Sequence, residues 1–308
     1  MSTPRRTPLA GRIRRGVAEP HLAVRQVNRW VHRLRDGLGR TGVEFFDEDW
    51  DNLLLLDACR YDVFAERADL PGTLRARQSK ASATREFLSV YIDGADLRDT
   101  VYVTANPQLY RRRGEIAANF HDVVDVWRDE GWDEDYRTVH PETVAAAAEA
   151  AAERHPHKRL LVHFLQPHYP FIGETGQRHL DLGSLVFGPE VVHGDVDVDD
   201  ELLWRAYREN VDIALSSVRR LLVVLGGRTV VTADHGELLG ERVLPLPMRE
   251  YGHPAGIRAP ALNTVPWFVH EHGERRTITR EDDDGRRHDE PAVDDAVVEE
   301  RLRQLGYR

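Results

Sequence analysis

The sequence predicts an α/β protein built on a parallel sheet, and three observations carry that expectation. Short apolar runs at 53–56, 160–165 and 229–232 have the length and composition of buried strands. Each empties into a polar loop that holds an acid or a histidine, where open α/β sheets place their ligands. Between the runs lie segments of helical period, with Leu203, Tyr207, Val211, Ala214, Val218, Leu221 and Leu225 the longest.

Composition narrows the class. A chain of 308 residues, 41% hydrophobic, can bury a substantial core. Cys59 is the single cysteine, which excludes an intramolecular disulfide and a cysteine zinc site. The net charge of −10 divides unevenly: residues 1–40 carry ten arginines against Glu19 and Asp36, +8, which leaves −18 for the rest. An acidic body with two lysines argues against nucleic acid as a partner and suits a salt-rich medium. No apolar run approaches the ~20 residues that cross a bilayer, and the arginine-rich start lacks the apolar core of a secretory signal. A cytoplasmic protein is expected, with residues 1–40 a basic tail plus amphipathic helix and 41–308 one α/β domain.

In chain order, residues 1–20 are basic, core-poor and punctuated by proline and glycine. Val24, Val27, Val31, Leu34 and Leu38 then recur at helical spacing beside Trp30, with arginines elsewhere around the helix. This helix can pack on the domain, or residues 20–38 can lie on the inner face of an anionic membrane. The strand at 53–56 ends at Asp57-Ala58-Cys59-Arg60-Tyr61-Asp62, which makes Asp57 a candidate metal ligand. Arg60 can contact an anionic substrate or pair with a nearby acid, and Cys59 reads as buried filler. In Ser79-Lys80-Ala81-Ser82-Ala83-Thr84-Arg85-Glu86-Phe87, Ser82 or Thr84 can cap a helix whose free amides also suit an anion.

A strand at 100–104 leads to Asn106-Pro107, read as a turn with Asn106 outside the site. Pro141 opens an alanine-rich helix that ends at His155-Pro156. His163 lies within the next strand and reads as core or as a side chain supporting the site from behind, whereas His168 is held stiffly between two prolines in Gln166-Pro167-His168-Tyr169-Pro170-Phe171. Residues 172–200 form a long polar connection, a candidate lid. The strand at 229–232 delivers Asp234, His235, Gly236 and Glu237 into one loop, and His253 follows between Gly252 and Pro254. A strand at 264–270 and a helix at 293–305 complete the chain.

Four of these stretches resemble motifs of the alkaline phosphatase and sulfatase superfamily, in its order, over most of residues 52–254. Thr-Ala-Asp-His-Gly-Glu at 232–237 resembles its metal-binding loop, and Asp-x-x-Arg-x-Asp at 57–62 its first motif. Ser-x-x-Ser-Ala-Thr at 79–84 is similar to the nucleophile segment of alkaline phosphatases, which implies Ser79 as nucleophile and metal contact. Alignment with lipoteichoic acid synthases through Glu86-Phe87 shifts that role to Ser82 instead. Pro-His-x-Pro-Phe at 167–171 resembles a sulfatase-like loop whose histidine faces the anionic group. The Cys-x-Pro-Ser-Arg segment that yields formylglycine is missing, so that chemistry is not expected.

The resemblance implies an α/β/α layered, alkaline-phosphatase-like fold with a largely parallel sheet. It also implies one divalent ion, manganese, zinc, magnesium or calcium, on Asp57, Ser79, Asp234 and His235. His168 and His253 would act in catalysis, and Arg60, Lys80 and Ser82 would hold the substrate. The expected activity is hydrolysis of phosphate or sulfate esters on a small-molecule, glycan or lipid substrate. The alternatives are transfer of a phosphoryl-linked group to another acceptor and non-catalytic binding of anionic glycans.

Overall fold

A computed structural model describes residues 20–36, 41–128, 131–179, 199–280 and 293–307. The basic tail before Pro20, most of the candidate lid and the acidic segment 281–290 lie outside the described residues. The nine strands described are β1 (Asn52–Leu56), β2 (Thr73–Gln78), β3 (Asp96–Thr104), β4 (Asn119–Asp125), β5 (Arg159–Phe164), β6 (Gly227–Thr232), β7 (Leu238–Val243), β8 (Met248–Gly252) and β9 (Thr264–His272).

Seven strands form one sheet in the order β2-β9-β6-β1-β5-β3-β4. β6, β1, β5, β3 and β4 run parallel, and β9 alone is reversed against its neighbours β6 and β2. β1 is central because its leucines, Leu53 to Leu56, are buried on both faces. Edge strand β2 is mostly exposed and carries Arg75 and Arg77, charges that discourage edge-to-edge pairing. β7 and β8 form a separate antiparallel hairpin after the Asp234 loop.

Both faces of the sheet are covered, as β9 shows. Neighbours on a strand project oppositely: Phe268 meets Phe64 of the helix Tyr61–Arg67, and Trp267 meets Phe45. On the Phe64 side lies the 25-residue helix Asp200–Val224, capped by Asp199. On the other side Phe45 packs edge-on against Phe87 and Tyr91, from the short helix Thr84–Phe87 and the turns Leu88–Ile92 that continue it. This is the α/β/α layering expected from sequence.

The N-terminal helix, Pro20–Asp36, departs from expectation in the face it buries. Asn28 and His32 are buried and tie it to the β7–β8 turn: Asn28 Nδ2 donates to the Leu246 carbonyl (2.9 Å), Leu246 N donates to Asn28 Oδ1 (3.0 Å), and His32 Nε2 donates to the Leu244 carbonyl (2.8 Å). Arg25 pairs with buried Glu250 of β8 at 2.8 Å. Val24 and Val31 are half-buried, whereas Val27, Trp30 and Leu34 of the same apolar stripe face outward, and Leu38 lies outside the described residues. Unpaired backbone carbonyls in the turn reward polar partners more than an apolar stripe would.

Truncation of the central strand should cost far more than truncation of the edge. Leu54→Ala is expected to lose about 2–5 kcal/mol, and Leu74→Ala on β2 about 1 kcal/mol or less, both read from urea denaturation midpoints.

Candidate active site

The site gathers at the carboxyl ends of β1, β5, β6 and β3. Asp57 is the first residue after β1, and Asp234 and His235 follow β6 by two and three residues. All three are fully buried. The turn after Asp57 places Ala58 at φ 61°, in the left-handed region, and from there its N–H reaches Asp234 Oδ1 at 3.2 Å. Gly236 is required by close approach: a Cβ there would lie 2.0 Å from the Ala261 carbonyl oxygen, and its N–H donates to Leu262 O at 2.7 Å.

His235 Nε2 lies 3.2 Å from Asp234 Oδ2 and 3.6 Å from Asp57 Oδ1. Its Nδ1 donates to the Gly236 carbonyl at 2.8 Å, which points Nε2 at the acids. Burial alone would lower the His235 pKa, but Asp234 and then Asp57 raise it to about 10. Burial and the neighbouring Asp234 charge push the Asp57 carboxyl well above its ordinary range. Asp234 is held below its ordinary range: burial opposes this, and attraction to His235 outweighs it.

Four residues that sequence reasoning left out complete the cluster. Thr84 Oγ1 sits 3.4 Å from each Asp57 oxygen and 3.3 Å from His235 Nε2. Asn106 Nδ2 donates to Asp57 Oδ2 at 2.8 Å, and the Tyr307 hydroxyl donates to the same oxygen at 2.9 Å. His163 Nε2 lies 4.0 Å from Asp57 and 3.9 Å from Asp234, aimed there by the 2.7 Å bond between its Nδ1 and the Tyr102 hydroxyl. Burial lowers the His163 pKa to about 4, so its imidazole is neutral.

The donor set suits a divalent cation. Asp57, His163 and Asp234 offer ligand atoms within 4.8 Å of one another, and Asp234 Oδ2 and His163 Nε2 are buried without a hydrogen-bond partner. Two buried carboxylates this close call for a positive charge between them. Asp57, Asp234, His235 and Thr84 would hold such an ion, with His163 beside it. A second trio, His168, Glu237 and His253, is equally compact, where a single ion was expected. Glu237 Oε1 is buried without a partner, and burial raises the Glu237 pKa to about 7 despite the pull of His168 and His235.

The other expected residues divide sharply. His168 and His253 line a cavity of about 260 Å³ together with Thr84, Tyr307, Arg25 and Arg29. Their rings lie 4.8 Å apart, and His168 stacks on Tyr307 at 5.2 Å. The His168 loop is fastened from both sides, by His168 N donating to Asp57 O (3.1 Å) and by buried Asn210 Nδ2 donating to Pro170 O (3.0 Å). Burial, then repulsion from neighbouring histidines, lowers both imidazoles to about 3.

Ser79 lies away from the ligand atoms: its Oγ donates to the Asp234 carbonyl at 2.6 Å and accepts from Ala81 N. It braces the loop backbone, and Thr84 takes the position expected of it. Ser82 is also turned away, donating from Oγ to Glu86 Oε2 at 2.9 Å and accepting from Gly256 N at 3.1 Å. Neither Ser82 nor Thr84 caps the helix. Arg60 is consumed structurally: it forks onto Asp62, pairs with Glu241, donates to Glu237 O and lies over the Trp204 ring. Lys80 pairs with Glu44 over Tyr91. None of these four lines the cavity.

If the cluster binds metal, Asp57→Asn and Asp234→Asn should each lose most of the manganese or zinc retained after gel filtration, read by elemental analysis. Ser79→Ala should keep its metal and lose about 1 kcal/mol of stability. Full retention in both Asn variants would exclude this centre.

No family model matches the sequence, and no curated protein matches it. Among solved structures, the chain is similar to the C-terminal periplasmic domain of EcEptC from Escherichia coli, in complex with Zn, at 12% identity over 76% of each chain and a TM-score of 0.48. It is similar to the phosphonate monoester hydrolase SpPMH from Silicibacter pomeroyi at 12% identity, over 83% of this chain and 73% of that one, with a TM-score of 0.38. It is similar to the lipoteichoic acid synthase LtaP from Listeria monocytogenes at 13% identity, over 74% of this chain and 66% of that one, with a TM-score of 0.39. The chain's own fold is mixed α/β around a mostly parallel sheet.

Proposed function

We propose that the chain is a metal-dependent hydrolase of phosphate or sulfate esters that works through a covalent Thr84 ester. The observation that carries this reading is the position of Thr84 Oγ1, within 3.4 Å of Asp57 and His235 on one side and lining the cavity on the other. The superfamily motifs at 57–62, 167–171 and 232–237 support the same chemistry, with the nucleophile at Thr84 in place of Ser79 or Ser82.

A bound divalent ion would supply positive charge to lower the Thr84 hydroxyl pKa and to offset charge on the reacting group. The chain supplies the remainder. Asp57 and His235 orient Oγ1, and Asn106 and Tyr307 fix the Asp57 carboxylate so that its geometry does not wander. In the first half-reaction Oγ1 bonds to phosphorus or sulfur and the ester oxygen leaves. One proton moves from Oγ1 to that oxygen. In the second, water attacks the same centre, the bond to Oγ1 breaks, and one proton returns from water to Oγ1.

The proton carrier is the neutral Nε2 of His168 or His253. In both rings Nδ1 is engaged, by the Tyr169 carbonyl and by Glu237 respectively, so Nε2 is the nitrogen left for exchange.

Thr84→Ala should reduce turnover of p-nitrophenyl phosphate, bis-p-nitrophenyl phosphate and p-nitrophenyl sulfate by at least about a thousand-fold. Thr84→Ser should keep measurable activity, and its covalent adduct should map to residue 84 by mass spectrometry. Full activity in Thr84→Ala would sink the covalent reading. A product carrying glycerol when glycerol is added would assign the second half-reaction to transfer in place of hydrolysis.

A further inference from the structure

Among the described residues, nothing covers the outward face of the N-terminal helix. Val27, Trp30 and Leu34 are 43%, 63% and 54% exposed, and their three- and four-residue spacing puts them on one face. The β7–β8 turn, fastened to this helix by Asn28 and His32, adds Leu244 at 62% and Leu246 at 41%. Eight large apolar side chains are markedly exposed among the described residues, and five of them belong to this helix and this turn. Singly exposed leucines need no explanation, but five of the eight on two elements fastened to each other do.

The charge around the patch differs from that of the domain. Arg33 and Arg35 are exposed on the same helix, and residues 1–40 carry +8 on a chain whose remainder is −18. Helix propensity or packing does not require this concentration, since the inward face is already committed through Arg25, Asn28 and His32. A tryptophan among aliphatic side chains with arginines at the margin matches the boundary of a bilayer, where the ring sits at headgroup depth and guanidinium stems reach phosphates.

We infer that this helix and the β7–β8 turn form a peripheral docking surface for an anionic lipid bilayer. The apolar side chains enter the headgroup boundary, and the arginines select negative charge. The helix lies on the membrane without crossing it; among the described residues no helix is long and apolar enough to span one. The assignment is independent of the ester chemistry, because none of the five apolar residues lines the cavity.

The test uses the full chain and vesicles of phosphatidylglycerol with phosphatidylcholine, against vesicles of phosphatidylcholine alone. Co-sedimentation with the anionic vesicles is expected, falling as salt rises. The double variant Trp30→Ser/Leu34→Ser and the single variant Leu244→Ser should each weaken it, the double at least about ten-fold. Their metal content and turnover of a soluble ester should match the parent, which separates a docking defect from misfolding. A blue shift of tryptophan emission on adding anionic vesicles should vanish in Trp30→Phe. Equal sedimentation with both vesicle types, no sedimentation at low salt, or sedimentation indifferent to the variants would overturn the assignment. So would a dimer broken by Trp30→Ser in a protein that ignores vesicles, which would give the patch to a second copy of the chain.

Discussion

Two buried carboxylates on neighbouring parallel strands set the terms for the rest of the protein. Asp57 and Asp234 sit fully buried at the ends of β1 and β6, and bringing like charges together in such a place is expensive. The fold answers with His235 from the same loop, with donors from Asn106 and Tyr307, and with a site shaped for a cation. A protein that had to be stable only as a scaffold would fill these positions with apolar groups. The abutment of two acids at the centre of the sheet is the cost of the proposed metal site, and the surrounding leucines of β1 hold it in register.

Much of this arrangement was legible in the sequence, because its signals are local. The runs that became β1, β3, β5, β6 and β9 announce strands by their own composition, and the four parallel ones deliver their loop residues at the carboxyl ends, where open α/β sheets place ligands. Asp57, Asp234, His235, His168 and His253 could be named from strand-end position and motif alone. β2, β4 and the β7–β8 hairpin could not: they are polar or half-exposed, and the partner strand, not their own pattern, makes them β.

The segment 79–84 shows where local reasoning stops. Ser79, Ser82 and Thr84 are three hydroxyls within six residues, and no residue pattern says which one turns toward the acids. The choice is made by the approach of distant chain, as the Asp234 carbonyl takes Ser79 and Glu86 with Gly256 takes Ser82. His163 was hidden for a similar reason. Inside an apolar strand it reads as core, and only the register of β5 on β1 and the Tyr102 bond from β3 turn it toward the carboxylates. Arg60 erred in the other direction, since the carboxylates that consume it include Glu241, far along the chain.

The Tyr307 hydroxyl on Asp57 joins residues 250 positions apart. Arg25 on Glu250 joins the cavity wall to the hairpin across a comparable span of sequence. Contacts of such separation form late, after the chain between them has collapsed and its loop entropy has been spent. The sheet is closed by pairings of similar span, Asn52 beside Thr229 and Thr73 beside Val269, so the sheet and the carboxylate cluster are completed together. While Tyr307 is undocked, Asp57 lacks one of its hydrogen-bond donors and the cavity lacks part of its wall, so a half-folded chain holds the carboxylate cluster loosely. Completion of the carboxylate cluster is thus coupled to completion of the fold.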